Sequence, residues 1–147
     1  MTVVEKITTD RVLAFIREYW QLLSDKTPGV EKVYTYDAKV FNPFEQRPES
    51  GRVSAARKER EYFEQKTAFH AEITSPIDVF LLADNVAVAT YAFRWQATGM
   101  VSAGKRFTKS LRNGRATDVI TLDFEGKLRF VHQHHSDIWR DTAAPPS

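Results

Sequence analysis

The residues with the clearest chemical potential are three histidines near the end of the chain, His132, His134 and His135. Because side chains alternate across a strand, Gln133 and His135 are predicted on one face and the other two histidines on the opposite face. Asp118 belongs to the preceding predicted strand. A carboxylate beside an imidazole can orient the ring or share its proton, so Asp118 and His135 are the candidate catalytic pair.

The other two histidines, His132 and His134, form an HxH pair that raises the question of a metal ion. Closed zinc sites take four ligands, and no further ligand is adjacent in sequence. We therefore predict no metal site.

A long predicted strand over residues 86–98 supplies aromatic side chains. Its alternation places Tyr91, Phe93 and Trp95 on one face, where they can line a pocket above Asp118 and His135. A one-residue offset would turn Arg94 inward instead of Phe93. An apolar, enclosed pocket with few ionisable groups shifts pKa values and favours acid–base chemistry. The same residues also suit a ligand pocket without catalysis, and both interpretations stay open.

Composition excludes several functional classes. The 147 residues are 42% hydrophobic and 27% charged, with a formal net charge of +2 and no cysteine. This excess is too small for a basic nucleic-acid-binding surface. No apolar run approaches the roughly 18 residues of a membrane span, and no signal-peptide pattern opens the chain. We expect a cytoplasmic protein without disulfides, nucleic-acid partner or membrane partner.

The order of predicted elements indicates an α+β domain over residues 1–140, followed by a disordered tail at 141–147. Helices are expected first, at residues 10–24, 30–37 and 52–66, with a loop at 41–51. Tyr19, Trp20 and Tyr34 are assigned mainly to core packing. Five strands are expected afterwards, at residues 70–75, 77–82, 86–98, 106–124 and 127–136, with a hairpin turn at 83–85.

This order resembles a known family. The matching residues are Phe44-Glu45, Tyr62-Phe63-Glu64, His70, Ile73, Pro76, Thr117, Val119, Gly126-Lys127, Val131-His132, His134 and Ser136. Together they are similar to the nuclear-transport-factor-2-like superfamily, which includes SnoaL-like proteins, and most of all to the association (hub) domain of calcium/calmodulin-dependent protein kinase II. The resemblance covers about residues 8–138. It implies a cone-shaped, cystatin-like fold, with N-terminal helices packed on one curved antiparallel sheet around a deep pocket.

The resemblance also implies where the pocket lies. The three arginines of the hub pocket correspond to Phe93, Asp118 and His135, and its histidine corresponds to Glu59. The cationic character of the hub pocket is thus not expected here. We predict that Glu59, Tyr91, Phe93, Trp95 and Gln133 bind a ligand that is neutral or cationic, with an apolar or aromatic body.

Three functions follow from these observations. The first is a homo-oligomeric domain that binds an unknown small molecule and needs no cofactor. The second is a cofactor-independent isomerase, dehydratase or hydrolase that uses Asp118 and His135. The third is an assembly module, since members of the resembled family associate as dimers or larger rings.

Self-association is the first testable prediction. We expect at least a dimer, joined through the outer sheet face that includes Thr117, His132 and His134, because closed two-fold contacts are the commonest oligomer geometry. Light scattering is then expected to give at least twice the 16.9 kDa of one chain. A mass of a single chain at micromolar concentration contradicts the prediction.

Overall fold

The computed structural model describes residues 5–25, 30–41, 49–54, 57, 66–101 and 106–137 of the chain. Helix α1 (Thr9–Ser24) agrees with the first predicted helix. Its amino end is capped by Thr8, whose hydroxyl accepts a hydrogen bond from the Arg11 amide at 3.2 Å. Such a cap satisfies one of the amides that a helix start leaves unpaired. No helix in the described ranges is long and apolar enough to cross a membrane.

The predicted second helix at 30–37 is wrong. A short 3-10 helix (Val30–Val33) gives way directly to strand β1 (Tyr34–Phe41). The segment of eight residues is too short for helical periodicity to decide its structure, and pairing with a neighbouring strand determines it. Tyr34, Ala38 and Val40 of β1 are consequently buried in the core.

The third predicted helix, at 52–66, lies mostly outside the described residues. Residues 52–54 and 57 are helical, whereas Lys66 already begins strand β3, so the predicted helix end is wrong. Glu59, residues 42–48 of the predicted loop and the tail at 141–147 also lie outside the described residues.

Strand β2 (Glu49–Ser50) lies within the predicted loop at 41–51, so the loop prediction is wrong there. The five predicted strands are present in the predicted order, with shifted ends. They are β3 (Lys66–Ile73), β4 (Asp78–Ala83), β5 (Val86–Val101), β6 (Arg106–Leu122) and β7 (Leu128–Asp137). The predicted hairpin turn connects β4 to β5. The sheet has the order β2-β1-β7-β6-β5-β3, and β4 pairs with the same strand β5 as β3 does.

The predicted curved antiparallel sheet is confirmed for β3 to β7, and the additional strand β1 makes the whole sheet mixed. Strands β3 to β7 pair antiparallel throughout, as predicted, but β1 lies parallel to β7. Parallel neighbours need a long crossover connection. Here the strands β2 to β6 lie between β1 and β7 in the sequence. Sequence patterns that predict hairpins between consecutive strands therefore do not predict this pairing.

Strand β7 contains a bulge at Val131. Val119 of β6 pairs with His132 and the next residue, Ile120, pairs with Phe130, which leaves Val131 without a partner. An extra residue of this kind reverses the inward and outward alternation of a strand. Phe130 before the bulge and His135 after it therefore both face the core.

Small residues make room for large ones across the inner face of the sheet. Tyr91 and His135 are both paired with Ala116 of β6, and Phe93 is paired with Gly114. A Cβ atom on Gly114 would collide with Cζ of Phe93 and would lie 2.8 Å from the carbonyl oxygen of Ser136. Glycine is thus required because the Phe93 ring lies directly over its backbone.

Replacement of this glycine is expected to destabilise the fold. Gly114→Ala should lower the free energy of unfolding by about 1–3 kcal/mol, the usual cost of overpacking a core. The cost should shrink in a Phe93→Leu background, because part of the collision is removed. Urea denaturation of the four proteins measures both values. Arg17→Ala, at an exposed position of α1, is the control and should change stability by less than about 0.5 kcal/mol. Equal costs in both backgrounds would contradict this account.

Candidate functional site

The interior site consists of Trp20 from α1, Tyr91 and Phe93 from β5, Asp118 from β6, and Gln133 and His135 from β7. Asp118 and Gln133 are completely buried, and His135 is 4% exposed. Apart from tyrosine and tryptophan, these three are the buried polar side chains of the described residues. Buried charged and amide groups are uncommon because they lose hydration. Their presence on adjacent strands therefore distinguishes this part of the core from the apolar rest.

The strand register brings the ionisable groups together. Tyr91 and His135 are both paired with Ala116, and Asp118 lies two residues further along β6 on the same face. Asp118 is therefore the diagonal neighbour of both side chains, within reach of long or aromatic groups. Its direct partner across the strands is Gln133.

Asp118 is held by a chain of hydrogen bonds that begins on the helix. The Trp20 indole nitrogen donates to the Tyr91 hydroxyl at 2.8 Å, and that hydroxyl donates to Oδ2 of Asp118 at 2.6 Å. Burial, followed by the nearby Asp118 charge, raises the pKa of Tyr91 well above its usual value of 10.0. Tyr91 is consequently a neutral donor, and it fixes the position of the carboxylate.

Gln133 is held by a second chain of hydroxyl groups. The Tyr34 hydroxyl donates to Oε1 of Gln133 at 2.9 Å and lies 3.2 Å from the Tyr19 hydroxyl. Trp20 and Tyr34 thus hold Tyr91 and Gln133 in place as well as filling the core, whereas the sequence assigned them mainly to core packing. Their contacts depend on the packing of α1 and β1 on the sheet, and no local motif encodes them.

The Asp118 and His135 side chains approach each other without forming a hydrogen bond. Oδ1 of Asp118 lies 3.7 Å from Nε2 of His135, beyond hydrogen-bond distance. The imidazole stacks on Trp20 with ring centroids 5.7 Å apart and also contacts Phe93 at 5.2 Å. The ring therefore has its orientation set by aromatic packing.

Three buried polar atoms of the interior site have no hydrogen-bond partner among the described residues. They are Oδ1 of Asp118, Nε2 of Gln133 and Nε2 of His135. An unsatisfied buried polar group costs about 1–3 kcal/mol, and such groups in native proteins commonly pair with water or a ligand. The set offers one acceptor, one donor, and an imidazole nitrogen that can act as either.

The alternative of an inward Arg94 is wrong. Phe93 is fully buried, whereas Arg94 is half-exposed and donates from Nε to Oδ1 of Asn113 at 3.0 Å. Arg94 also lies 4.0 Å from Glu72. The predicted inward orientation of Tyr91, Phe93 and Trp95 is confirmed by their burial, and their role in ligand binding stays a prediction.

The remaining histidines lie on the other face of the sheet. His132 and His134 flank Phe41 of β1, with ring centroids 5.9 Å and 5.5 Å from its ring. Within the described ranges, no group of three or more His, Cys, Asp or Glu side chains could hold a metal ion. Pairing of this face with a second subunit stays a prediction.

Removal of the Tyr91 hydroxyl is expected to destabilise the protein. Tyr91→Phe leaves Oδ2 of Asp118 and the Trp20 indole nitrogen without their hydrogen bonds. A hydrogen bond to a charged group contributes about 1.5–3 kcal/mol, and a loss of this size should appear in urea denaturation at pH 7. Tyr36→Phe is the matched control, because Tyr36 is 81% exposed. Similar losses in both variants would contradict the assigned role of Tyr91.

The same hydroxyl should make stability depend on alkaline pH. An unfolded tyrosine releases its proton near pH 10, while folded Tyr91 keeps it because its pKa is raised. Above about pH 10 the unfolded state then binds fewer protons than the folded state, so stability falls as pH rises. The decline contributed by this one group approaches 1.4 kcal/mol per pH unit. Tyr91→Phe should show a shallower decline than the parent protein, and parallel curves would refute the assignment.

The fold is shared with solved bacterial proteins. A nuclear-transport-factor-2-like protein from Salmonella enterica serovar Typhimurium superposes with a TM-score of 0.75, at 16% identity, over 94% of this chain and 96% of that one. A putative calcium/calmodulin-dependent protein kinase II association domain from Xanthomonas campestris gives 0.71, at 21% identity, over 94% and 97%. A putative scytalone dehydratase from Novosphingobium aromaticivorans gives 0.76, at 11% identity, over 92% and 88%.

No family model and no curated protein matches the sequence. At these identities the likeness concerns the arrangement of the backbone, and it covers nearly the whole of each chain. It agrees with the helix packed on a curved mixed sheet that the elements describe. The chain therefore has the α+β, cystatin-like fold of the nuclear-transport-factor-2-like superfamily.

Proposed function

We propose that the protein binds a small molecule at the interior site, between aromatic walls and the polar groups of Asp118, Gln133 and His135. The observation that carries this proposal is that adjacent strands hold three buried polar atoms with no hydrogen-bond partner among the described residues. A core built only for stability gains nothing from such atoms. A ligand with both a donor and an acceptor group would satisfy them.

The charge of the site favours a neutral or cationic ligand. Asp118 is buried, and no lysine or arginine is among the side chains that the structure describes as buried. A buried carboxylate ligand would therefore lack the partner that offsets its desolvation. The rings of Trp20 and Phe93, whose centroids lie 4.8 Å apart, offer apolar contacts to a flat body and can attract a cation.

Acid–base catalysis is a second candidate, favoured by the 3.7 Å separation of Asp118 Oδ1 and His135 Nε2. Tyr91 occupies the other carboxylate oxygen, so Oδ1 is the atom that can accept a proton. The imidazole can deliver or receive a proton at a neighbouring atom of the substrate. An isomerase or dehydratase needs this pair of transfers and no cofactor. The structural likeness to a putative dehydratase is compatible with such a reaction.

Self-association also belongs to the proposal. The likeness to a putative association domain supports it, as does the exposed Thr117 and His134 surface on the outer face of the sheet. An assembly role without a ligand is the weaker alternative. It does not explain why buried polar atoms of the interior site lack hydrogen-bond partners among the described residues.

A ligand screen with one matched pair of variants tests the proposal. Asp118→Asn keeps an acceptor for Tyr91 and removes the buried charge. We expect it to raise the melting temperature of the free protein by about 2–4 °C, equivalent to about 1 kcal/mol. We also expect it to weaken binding of a stabilising neutral or cationic aromatic compound at least tenfold. Arg94→Ala, which alters the outer face, should leave that binding unchanged.

The outcome separates the candidates. A lower melting temperature of Asp118→Asn with unchanged ligand affinity would show that the carboxylate is purely structural, and the proposal would fail. If the parent protein converts the bound compound, as followed by NMR, while Asp118→Asn binds without conversion, catalysis is supported. If neither protein converts it and only the affinity falls, the protein is a binding domain.

A further inference from the structure

A recess on the opposite flank of α1 is separate from the interior site. It has a volume of about 490 Å³ and lies between α1, the 3-10 helix and the turn that connects β6 to β7. We call it the flank groove. None of the polar groups of the interior site lines it. Its volume falls within the usual range of small-molecule sites, about 300–1,000 Å³.

The floor of the flank groove is apolar. Its side chains come from α1, the 3-10 helix and the start of β7, and are Phe15, Tyr19, Leu22, Val30, Val33 and Leu128. Phe15 and Leu22, seven residues apart on α1, share one side of the helix. They are only partly buried, whereas Val12, Ile16 and Leu23 on the core side are fully covered. The helix therefore presents a second apolar surface to the groove.

The rim of the flank groove is mostly basic. Arg11, Lys32, Lys127 and Arg129 line it with one acidic residue, Glu18. The two arginines have structural partners. Arg11 donates from Nη2 to the carbonyl oxygen of Gly126 at 2.8 Å, and Arg129 Nε lies 3.4 Å from Asp123. They hold the β6–β7 turn against the body of the protein.

The two lysines remain available to a ligand. Lys127 lies 3.8 Å from Glu125, but both side chains are more than half exposed, and such surface pairs contribute little. Lys32 has no ion pair with any residue that the structure describes. A pair of flexible ammonium groups above an apolar floor matches an anionic headgroup attached to an apolar body.

We propose that the flank groove binds a small amphipathic anion, with a carboxylate or a similar headgroup at Lys32 and Lys127 and a hydrocarbon or aromatic body on the floor. The class differs from that of the interior site, where Asp118 favours a neutral or cationic ligand. A protein partner is a less suitable occupant, because a stable protein interface buries about 1,200 Å² or more and extends well beyond a recess of small-molecule size.

An NMR titration with octanoate, compared with octanol of the same chain length, tests the inference. Amide shifts should centre on Leu22, Val33 and Lys127, and octanoate should bind at least tenfold more tightly than octanol. The single variants Lys32→Glu and Lys127→Glu should each reduce that preference. Lys39→Glu is the charge-matched control, because Lys39 is exposed on β1 and does not line the groove.

Three results would overturn the inference. Equal affinity for octanol and octanoate would show that Lys32 and Lys127 do not bind the carboxylate headgroup. An equal loss of affinity in the Lys39→Glu control indicates a general charge effect. Shifts centred on Trp20 and Gln133 place the probe in the interior site instead. Thermal melts of each variant confirm that a loss of binding does not reflect unfolding, and Leu22→Gln provides a second test, since it removes floor contact without altering charge.

Discussion

Burial of the Asp118 carboxylate is the constraint around which the inner face of the sheet is organised. A carboxylate taken out of water is costly unless other groups replace its hydration. Here one oxygen receives a short hydrogen bond from Tyr91, and Trp20 supports that tyrosine from the helix. The helix, β5 and β6 are thereby joined through a single polar chain inside an aromatic core. The second oxygen remains without a hydrogen bond among the described residues, which makes this core unusual for one built for stability alone.

The arrangement depends on backbone features as much as on side chains. The bulge at Val131 turns His135 and Gln133 inward, although Phe130 before it also points inward. Gly114 leaves room for the Phe93 ring over β6. Bulges and glycines weaken regular strands. Both features lie beside the buried polar groups at which we propose a ligand site.

The protein thus offers two different environments on the two sides of one helix. The core side of α1 faces an acidic and imidazole-containing interior through Trp20. Its flank faces an apolar recess with a basic rim through Phe15 and Leu22. Ligands of opposite charge are expected at these places, because each site has a different group available to offset desolvation. The fold alone does not specify either ligand, since function resides in the side chains placed on a fold.

The sequence by itself determined the first helix, the antiparallel order of β3 to β7 and the inward faces of β5 and β6, because hydrophobic periodicity is local. It also selected Asp118, Gln133 and His135 as candidate site residues, and the structure buries all three. Tertiary structure decided the parallel pairing of β1, the bulge in β7 and the roles of Trp20 and Tyr34. These features arise from contacts between residues far apart in the chain: Trp20 and Tyr91 are 71 residues apart, and Tyr34 and Gln133 are 99 apart. Local patterns carry no information about such distant contacts, and only the packing of α1 and β1 on the sheet brings these groups together.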